Sequence, residues 1–292
     1  MKSLRHLRRP AAFALCGLAW TAAAQPPVPQ PRSGQAAAQV DLTGYWVAQI
    51  TEDWRWRMIT PPKGDYTSVP LTPAGRQTAD AWDPERDAAT GEQCRAFGAG
   101  GLMRQPTRLR ITWADDDTLK IESDAGEQVR LLRFGAPATA TEPRSWQGHS
   151  VAAWTRPVSS GNPFGPALVA PTREAATARS GGGAPPPGAP RAAPPPDGAL
   201  KVVTTNLRAG YLRKNGVPYG EQAVVNEYYD RLSMFGNDYL QVVSVVADPV
   251  NLATPFIVSN HFKREPDGSK WHPTPCATDA PLGTYQPPPV LQ

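Results

Sequence analysis

The chain has 292 residues, 34 of them Pro and 25 Gly, and a formal charge of +4 from 30 basic and 26 acidic side chains. That length fits one or two domains, and a Pro share about twice the usual ~5% means that part of the chain is not packed structure. The excess charge is carried by Lys2, Arg5, Arg8 and Arg9; without them 26 basic residues face 26 acidic ones, which excludes the electrostatic footprint of a general nucleic-acid binder.

Residues 1–24 read as a signal peptide. A basic stretch ends at Arg9, an apolar stretch spans 11–20, and Ala22 and Ala24 give the small-x-small pattern of a cleavage site before Gln25. The apolar run is too short to cross a bilayer, and no other run reaches about 18 residues, so no membrane span is expected. Pro10 after Arg8-Arg9 favours Sec over twin-arginine export. The expected location is the periplasm or the exterior. Without Cys16 two cysteines remain, Cys94 and Cys276. In an oxidising compartment an isolated pair reads as a disulfide. A metal site built from Cys276, His272 and His261 fits no standard zinc spacing, so neither metal nor cofactor is expected.

Residues 25–39 read as a polar, Pro-rich disordered leader. Residues 157–198 hold 11 of the 34 prolines, including the run GGGAPPPGAPRAAPPPDG. Such a segment buries too little apolar area to offset chain entropy, so a disordered insertion is expected. It reads as a surface insertion between strands or as a Pro-rich partner ligand. Residues 281–292, with Pro287, Pro288 and Pro289, read as a flexible tail. What remains is one domain over 40–280, interrupted by the insertion.

Strands dominate that domain. The first spans 40–50. A second is predicted over 54–60, where Trp54, Trp56 and Met58 alternate with Arg55 and Arg57. A helix is predicted over 72–82, with Thr72 as cap and Pro73 in the first position. Over 107–113, Leu109, Ile111 and Trp113 share one face, and Arg108, Arg110 and Thr112 the other. Polar turns at 115–117 and 124–126 then lead to strands 119–123 and 128–134, an antiparallel meander. Strands follow at 145–154 and 200–207. A loop holds Asn215, Gly216 and Pro218. Strands 222–232, 238–246 and 256–263 complete the series. Nine or ten short strands with local turns predict an all-β fold: a single antiparallel barrel with one short helix, or alternatively a β-sandwich. Trp46, Trp54, Trp56, Trp113, Trp146 and Trp154 all fall on predicted strands. They either fill the core or line a lumen for an apolar ligand.

Gly44-x-Trp46 at the first strand resembles the opening of lipocalins and related calycin barrels. The resemblance implies structural roles for Gly44 and Trp46: the Trp closes one barrel end, and a basic residue by the last strand, Lys263 or Arg264, stacks across it. A broader likeness rests on strings such as EDWRWRMITPPKGDYTSVPL, MRQPTRLRITW, LKVVTTNLRAGYLRKNGVPYGE and HFKREPDGSKWHPTPC. These resemble a family of exported bacterial proteins of unknown function, over most of 41–156 and 200–276. That likeness implies a common folded module to which the Pro-rich insertion is an addition. It implies no activity.

The machinery of common catalysts is missing. Gly98 to Gly101 is not followed by Lys-Ser/Thr, and neither G-x-S-x-G nor H-E-x-x-H occurs. The chain after residue 24 holds three His: His149, His261 and His272. The best acid and base candidates are His149, between Trp146 and Trp154, and Glu227, beside Tyr228 and Tyr229. Desolvation inside a barrel moves such groups toward neutral pKa. Trp54, Trp56, Arg57, Arg110, Trp113, Tyr228 and His261 are candidate ligand-binding residues. Period-two alternation also allows the polar ones among them to face solvent on the outer wall. Glu52, Asp53, Lys63 and Asp65 flank the 54–60 segment, as a polar rim or, around Pro61 and Pro62, a rigid turn. The function expected is binding of a small apolar or aromatic molecule in a barrel cavity. One alternative is a cofactor-independent isomerase, hydratase or lyase in the same cavity; another is an envelope protein-interaction module.

Overall fold

A computed structural model describes residues 32–155, 198–278 and 281–286. The chain opens with β1 (Gly44–Gln49). Three short helices follow: α1 (Trp54–Arg57), α2 (Pro73–Asp80) and α3 (Pro84–Ala89). Two 3-10 turns, Arg95–Phe97 and Leu102–Arg104, lead into the meander β2 (Arg108–Asp115), β3 (Thr118–Ser123) and β4 (Val129–Phe134). Then come β5 (His149–Thr155), β6 (Ala199–Thr205), the hairpin β7 (Gly210–Arg213) and β8 (Val217–Tyr219), and the long strands β9 (Val224–Met234), β10 (Asn237–Ala247) and β11 (Phe256–Glu265).

Nine strands close into one barrel in the order β1-β11-β10-β9-β6-β5-β4-β3-β2, with β7–β8 paired apart from it. The fold is therefore the predicted all-β barrel and not a sandwich. Every neighbouring pair is antiparallel except β4–β5, which is parallel. An odd ring cannot alternate throughout, so at least one parallel pair is unavoidable. The connection 135–148 makes it possible by carrying the chain back along the outside, as parallel neighbours require a crossover.

Alternation sorts each wall strand into an inward and an outward set. Trp46, Leu109, Ile111, Leu119, Ile121, Leu132, Val202, Tyr229, Leu240, Val242 and Phe262 are buried together in the lumen. At one end Trp113, Phe134 and Trp154 stack, with ring centroids 5.5 and 5.6 Å apart. The segment from residue 32 covers this end: the Gly34 N–H donates to Asp117 Oδ1, and Trp154 Nε1 donates to the Gly34 carbonyl. Residues 32–39 are thus not the loose leader expected, because the aromatic trio needs a cover. The Arg264 guanidinium lies 5.6 Å from the Trp46 ring, as the lipocalin-type opening implies. Gly44, at φ 119°, leaves room for it: a Cβ there would stand 3.3 Å from Arg264 Nη2.

The other end carries α1 to α3, the 3-10 turns and the β7–β8 hairpin, packed as a second cluster around Tyr66, Leu212, Tyr219, Val246 and Phe256. The Cys94–Cys276 disulfide ties this cap to the C-terminal segment. The Thr72 side chain caps α2 by accepting from the Gly75 N–H, as predicted.

Three expectations fail here. Residues 54–60 form no strand; α1 is one helical turn, with Arg57 buried and Trp54 exposed. The helix α3, capped by Asp83, was not foreseen. The loop around Asn215 is a hairpin whose tip is bolted down: Asn215 Nδ2 donates to the Pro62 and Asp65 carbonyls. The tail is held at its start, where the Leu282 N–H donates to the Thr60 carbonyl. The expected signal peptide and nearly all of the expected insertion lie outside the described residues, as does 287–292.

Candidate ligand-binding mouth of the barrel

Besides the apolar side chains named above, the lumen holds a buried charge pair. At its centre Arg130, 1% exposed, meets Glu227, 0% exposed. Arg130 Nη2 donates to Glu227 Oε2 at 2.6 Å, and Nη1 to Oε1 at 3.0 Å. Thr204 Oγ1 and Tyr229 Oη accept from the same guanidinium at 3.3 and 3.4 Å. Burial alone would ease the proton off Arg130, but the Glu227 carboxylate outweighs it and the net shift is upward. Two described clefts, of about 500 Å³ beside Pro70 and Ile257 and about 400 Å³ beside Lys63 and Trp82, lie on the outer surface and contain none of these lumen side chains.

This arrangement separates the two acid-base candidates. Ser150 Oγ contacts Thr204 Oγ1 inside the barrel, so the neighbouring His149 points outward. There His149 Nε2 lies 2.9 Å from the Pro137 carbonyl, and Nδ1 3.7 Å from Glu142. The barrel wall stands between His149 and Glu227, and Glu227 is held by Arg130. The structure does not bring the two side chains together.

The ligand candidates split into two groups. Arg110, Trp113 and Tyr228 are scattered. Arg110 is on the outer wall, bound to Glu122 by two hydrogen bonds and 5.3 Å from the Trp271 ring. Trp113 is at the aromatic end. Tyr228 faces outward toward the Lys201 ammonium, 6.0 Å from its ring. Trp54, Trp56, Arg57 and His261 gather at the cap end, around α1.

That mouth is built on charge. Glu52 Oε1 is 3.4 Å from both Arg57 Nη1 and His261 Nδ1. Arg57 Nε donates to the Arg104 carbonyl, and Arg104 Nη2 pairs with Asp53 Oδ2 at 3.1 Å. The fully buried Asp65 accepts from Arg55 and from Trp56 Nε1. Burial pushes the Asp65 pKa up, but hydrogen bonds from Thr67 and Trp56 and the Arg55 charge outweigh it, and the net shift is downward.

Arg213, at the end of β7, completes the group. It is 2% exposed, and none of its three side-chain nitrogens has a hydrogen-bond partner. Its guanidinium lies 4.6 Å from the Trp56 ring and 6.0 Å from the Phe256 ring. Arg104 lies 5.5 Å from the same Phe256 ring. Burial, reinforced by the Arg104 charge, lowers the pKa of both Arg57 and Arg213 to about 10. Sequence reasoning missed Arg104 and Arg213. The readable signal for Arg213 was Asn215-Gly216, a strong hairpin-turn pair with Tyr211 and Leu212 before it and Val217 and Tyr219 after it, which would have placed Arg213 on a strand.

Protein-family models, curated proteins and solved structures were all compared with the chain, and none matches it. The fold and site define an all-β protein on a closed nine-stranded barrel, with one end sealed by aromatic rings and the other capped over a buried arginine cluster.

Proposed function

We propose that the protein is exported and works as a binding protein whose small apolar or aromatic ligand docks at the capped mouth, not in the lumen. Export rests on the basic, apolar and small-x-small order of residues 1–24, and the disulfide suits an oxidising compartment. The observation that carries the binding reading is the apolar surface of the α1 segment. Trp54 is 64% exposed, Met58 52% and Ile59 37%, three large apolar side chains within six residues above the mouth. The helix beneath them has four residues, and its cap Asp53 sits at φ 54° with no capping hydrogen bond, so side-chain bonds from Arg55, Trp56 and Arg57 hold it in place.

Titration of the mature protein with the neutral apolar fluorophore N-phenylnaphthylamine tests this. Saturable enhancement is expected, and the double substitution Trp54→Ser, Met58→Ser should weaken it about tenfold or more, since each buried apolar side chain contributes roughly 1.5–3 kcal/mol. No saturable binding by the wild type contradicts the proposal. A second reading, a protein partner on the same face, draws on the exposure of Trp54, because aromatic residues dominate interface anchors.

A further inference from the structure

The mouth contains one cation more than its own acids satisfy. Arg57 has Glu52, Arg104 has Asp53 and Arg55 has Asp65. Arg213 has no such carboxylate; its guanidinium lies against two aromatic rings with every donor unbonded. A buried donor without an acceptor is rare, and a buried cation without a counter-charge is rarer still. Glu227 shows what this fold does with a buried arginine whose partner lies within the chain. Among the described residues no acid forms an ion pair with Arg213; Asp53 and Asp65 act on it from beyond that range and offset only part of its burial.

We propose that Arg213, with Arg104 at the same Phe256 ring, is the receiving group for an anion, and that the ligand is an apolar or aromatic molecule ending in a carboxylate. The proposal rests on the mouth reading and names its ligand class. A carboxylate matches the guanidinium fork with two parallel hydrogen bonds. An apolar body then has Trp56 and the Trp54–Met58 surface to lie against. Entry requires α1 to lift, which breaks the Arg55 and Trp56 bonds to Asp65 and the Arg57 bond to the Arg104 carbonyl and frees the partly exposed Glu52 and Asp53. Free phosphate shares the oxyanion chemistry but lacks the body, which separates the two sources.

Calorimetric titration of the mature, disulfide-bonded protein with naphthylacetate, naphthylacetamide and inorganic phosphate tests the proposal. The acid is expected to bind about tenfold or more tightly than its neutral amide, the scale of a charge-assisted hydrogen bond, and phosphate more weakly than the acid. Arg213→Gln should erase the difference between acid and amide. Arg133→Gln, which removes one charge from the outer wall, should keep it. The wild-type comparison of acid and amide needs no variant, so a folding defect in Arg213→Gln leaves the proposal testable. Equal binding of acid and amide overturns the anion site while leaving the mouth reading in place. Phosphate binding as tightly as the acid overturns the assignment of an apolar body. Failure of acid, amide and N-phenylnaphthylamine alike overturns the mouth reading and this proposal with it.

Discussion

Arg130 and Arg213 are both buried to within 2% of full enclosure, yet they stand in opposite situations. Arg130 sits in the lumen with Glu227 gripping both terminal nitrogens, and its proton is held more firmly than in water. Arg213 sits at the mouth with rings for neighbours and no acceptor, and its pKa falls to about 10. Burial acts on both in the same direction; the difference is one carboxylate. The charge of the lumen arginine is matched within the chain, although Arg130 Nε itself has no partner, and the indole N–H groups of Trp46 and Trp154 each donate to a backbone carbonyl. At the mouth, by contrast, a whole guanidinium is left without an acceptor.

The largest effect tests how the two regions are tied. The Cys94–Cys276 bridge closes 182 positions of chain, worth about 5 kcal/mol in the loop-closure model. Cys276→Ser should lower denaturant stability on that scale, and thiol titration of the unreduced mature protein should find no free thiol. Next comes the lumen pair. Glu227→Ala strands a buried guanidinium and should cost about 3–5 kcal/mol, whereas the double change Arg130→Met, Glu227→Leu should recover most of the loss. A stable Glu227→Ala protein would show that water reaches the lumen. Trp46→Ala should cost roughly 3–5 kcal/mol, because the ring is fully buried and carries Arg264 across its face. Arg213→Met should do the reverse of these and stabilise the ligand-free protein by about 1 kcal/mol, since it removes an unpaired buried charge. The smallest effect is a pH trend. The folded-state pKa of Arg213 is depressed, so between about pH 10 and its ordinary value the unfolded chain binds more protons than the folded one, and stability from this group rises with pH. The advantage of Arg213→Met over the wild type, followed by urea denaturation, should therefore shrink above about pH 10.

Much of the barrel was legible because period-two alternation is a direct image of an inside and an outside. Leu109, Ile111 and Trp113 all face inward, as their spacing implied. The cysteine pair was legible by elimination once Cys16 was assigned to the signal peptide. The parallel β4–β5 contact was not, because it depends on strand count and closure and not on any local pattern. The α1 segment misled for a physical reason. Alternating Trp and Arg imitates a strand, but a long Arg can bury its stem and bond its head, as Arg57 does to the Arg104 carbonyl, while Trp54 stays in water. Of the site, Trp56, Arg57 and His261 were found, and the flanking Glu52 and Asp53 were noticed as a rim. Arg104 and Arg213 were not, because their role comes from contacts distant in sequence, with Trp56, Arg57 and Phe256. Arg130 carried a usable clue: it shares the inward face of β4 with Leu132, and a charge on an apolar face calls for a buried partner.

The most direct test is urea denaturation of the wild type and Arg213→Met side by side, each with and without naphthylacetate. The account predicts that the variant is the more stable protein without ligand, and that naphthylacetate stabilises the wild type more than it stabilises the variant. A variant that is less stable than the wild type by about 2 kcal/mol or more without ligand, on the scale of a lost charged hydrogen bond, would contradict it. Arg213 would then be a structural residue like Arg130.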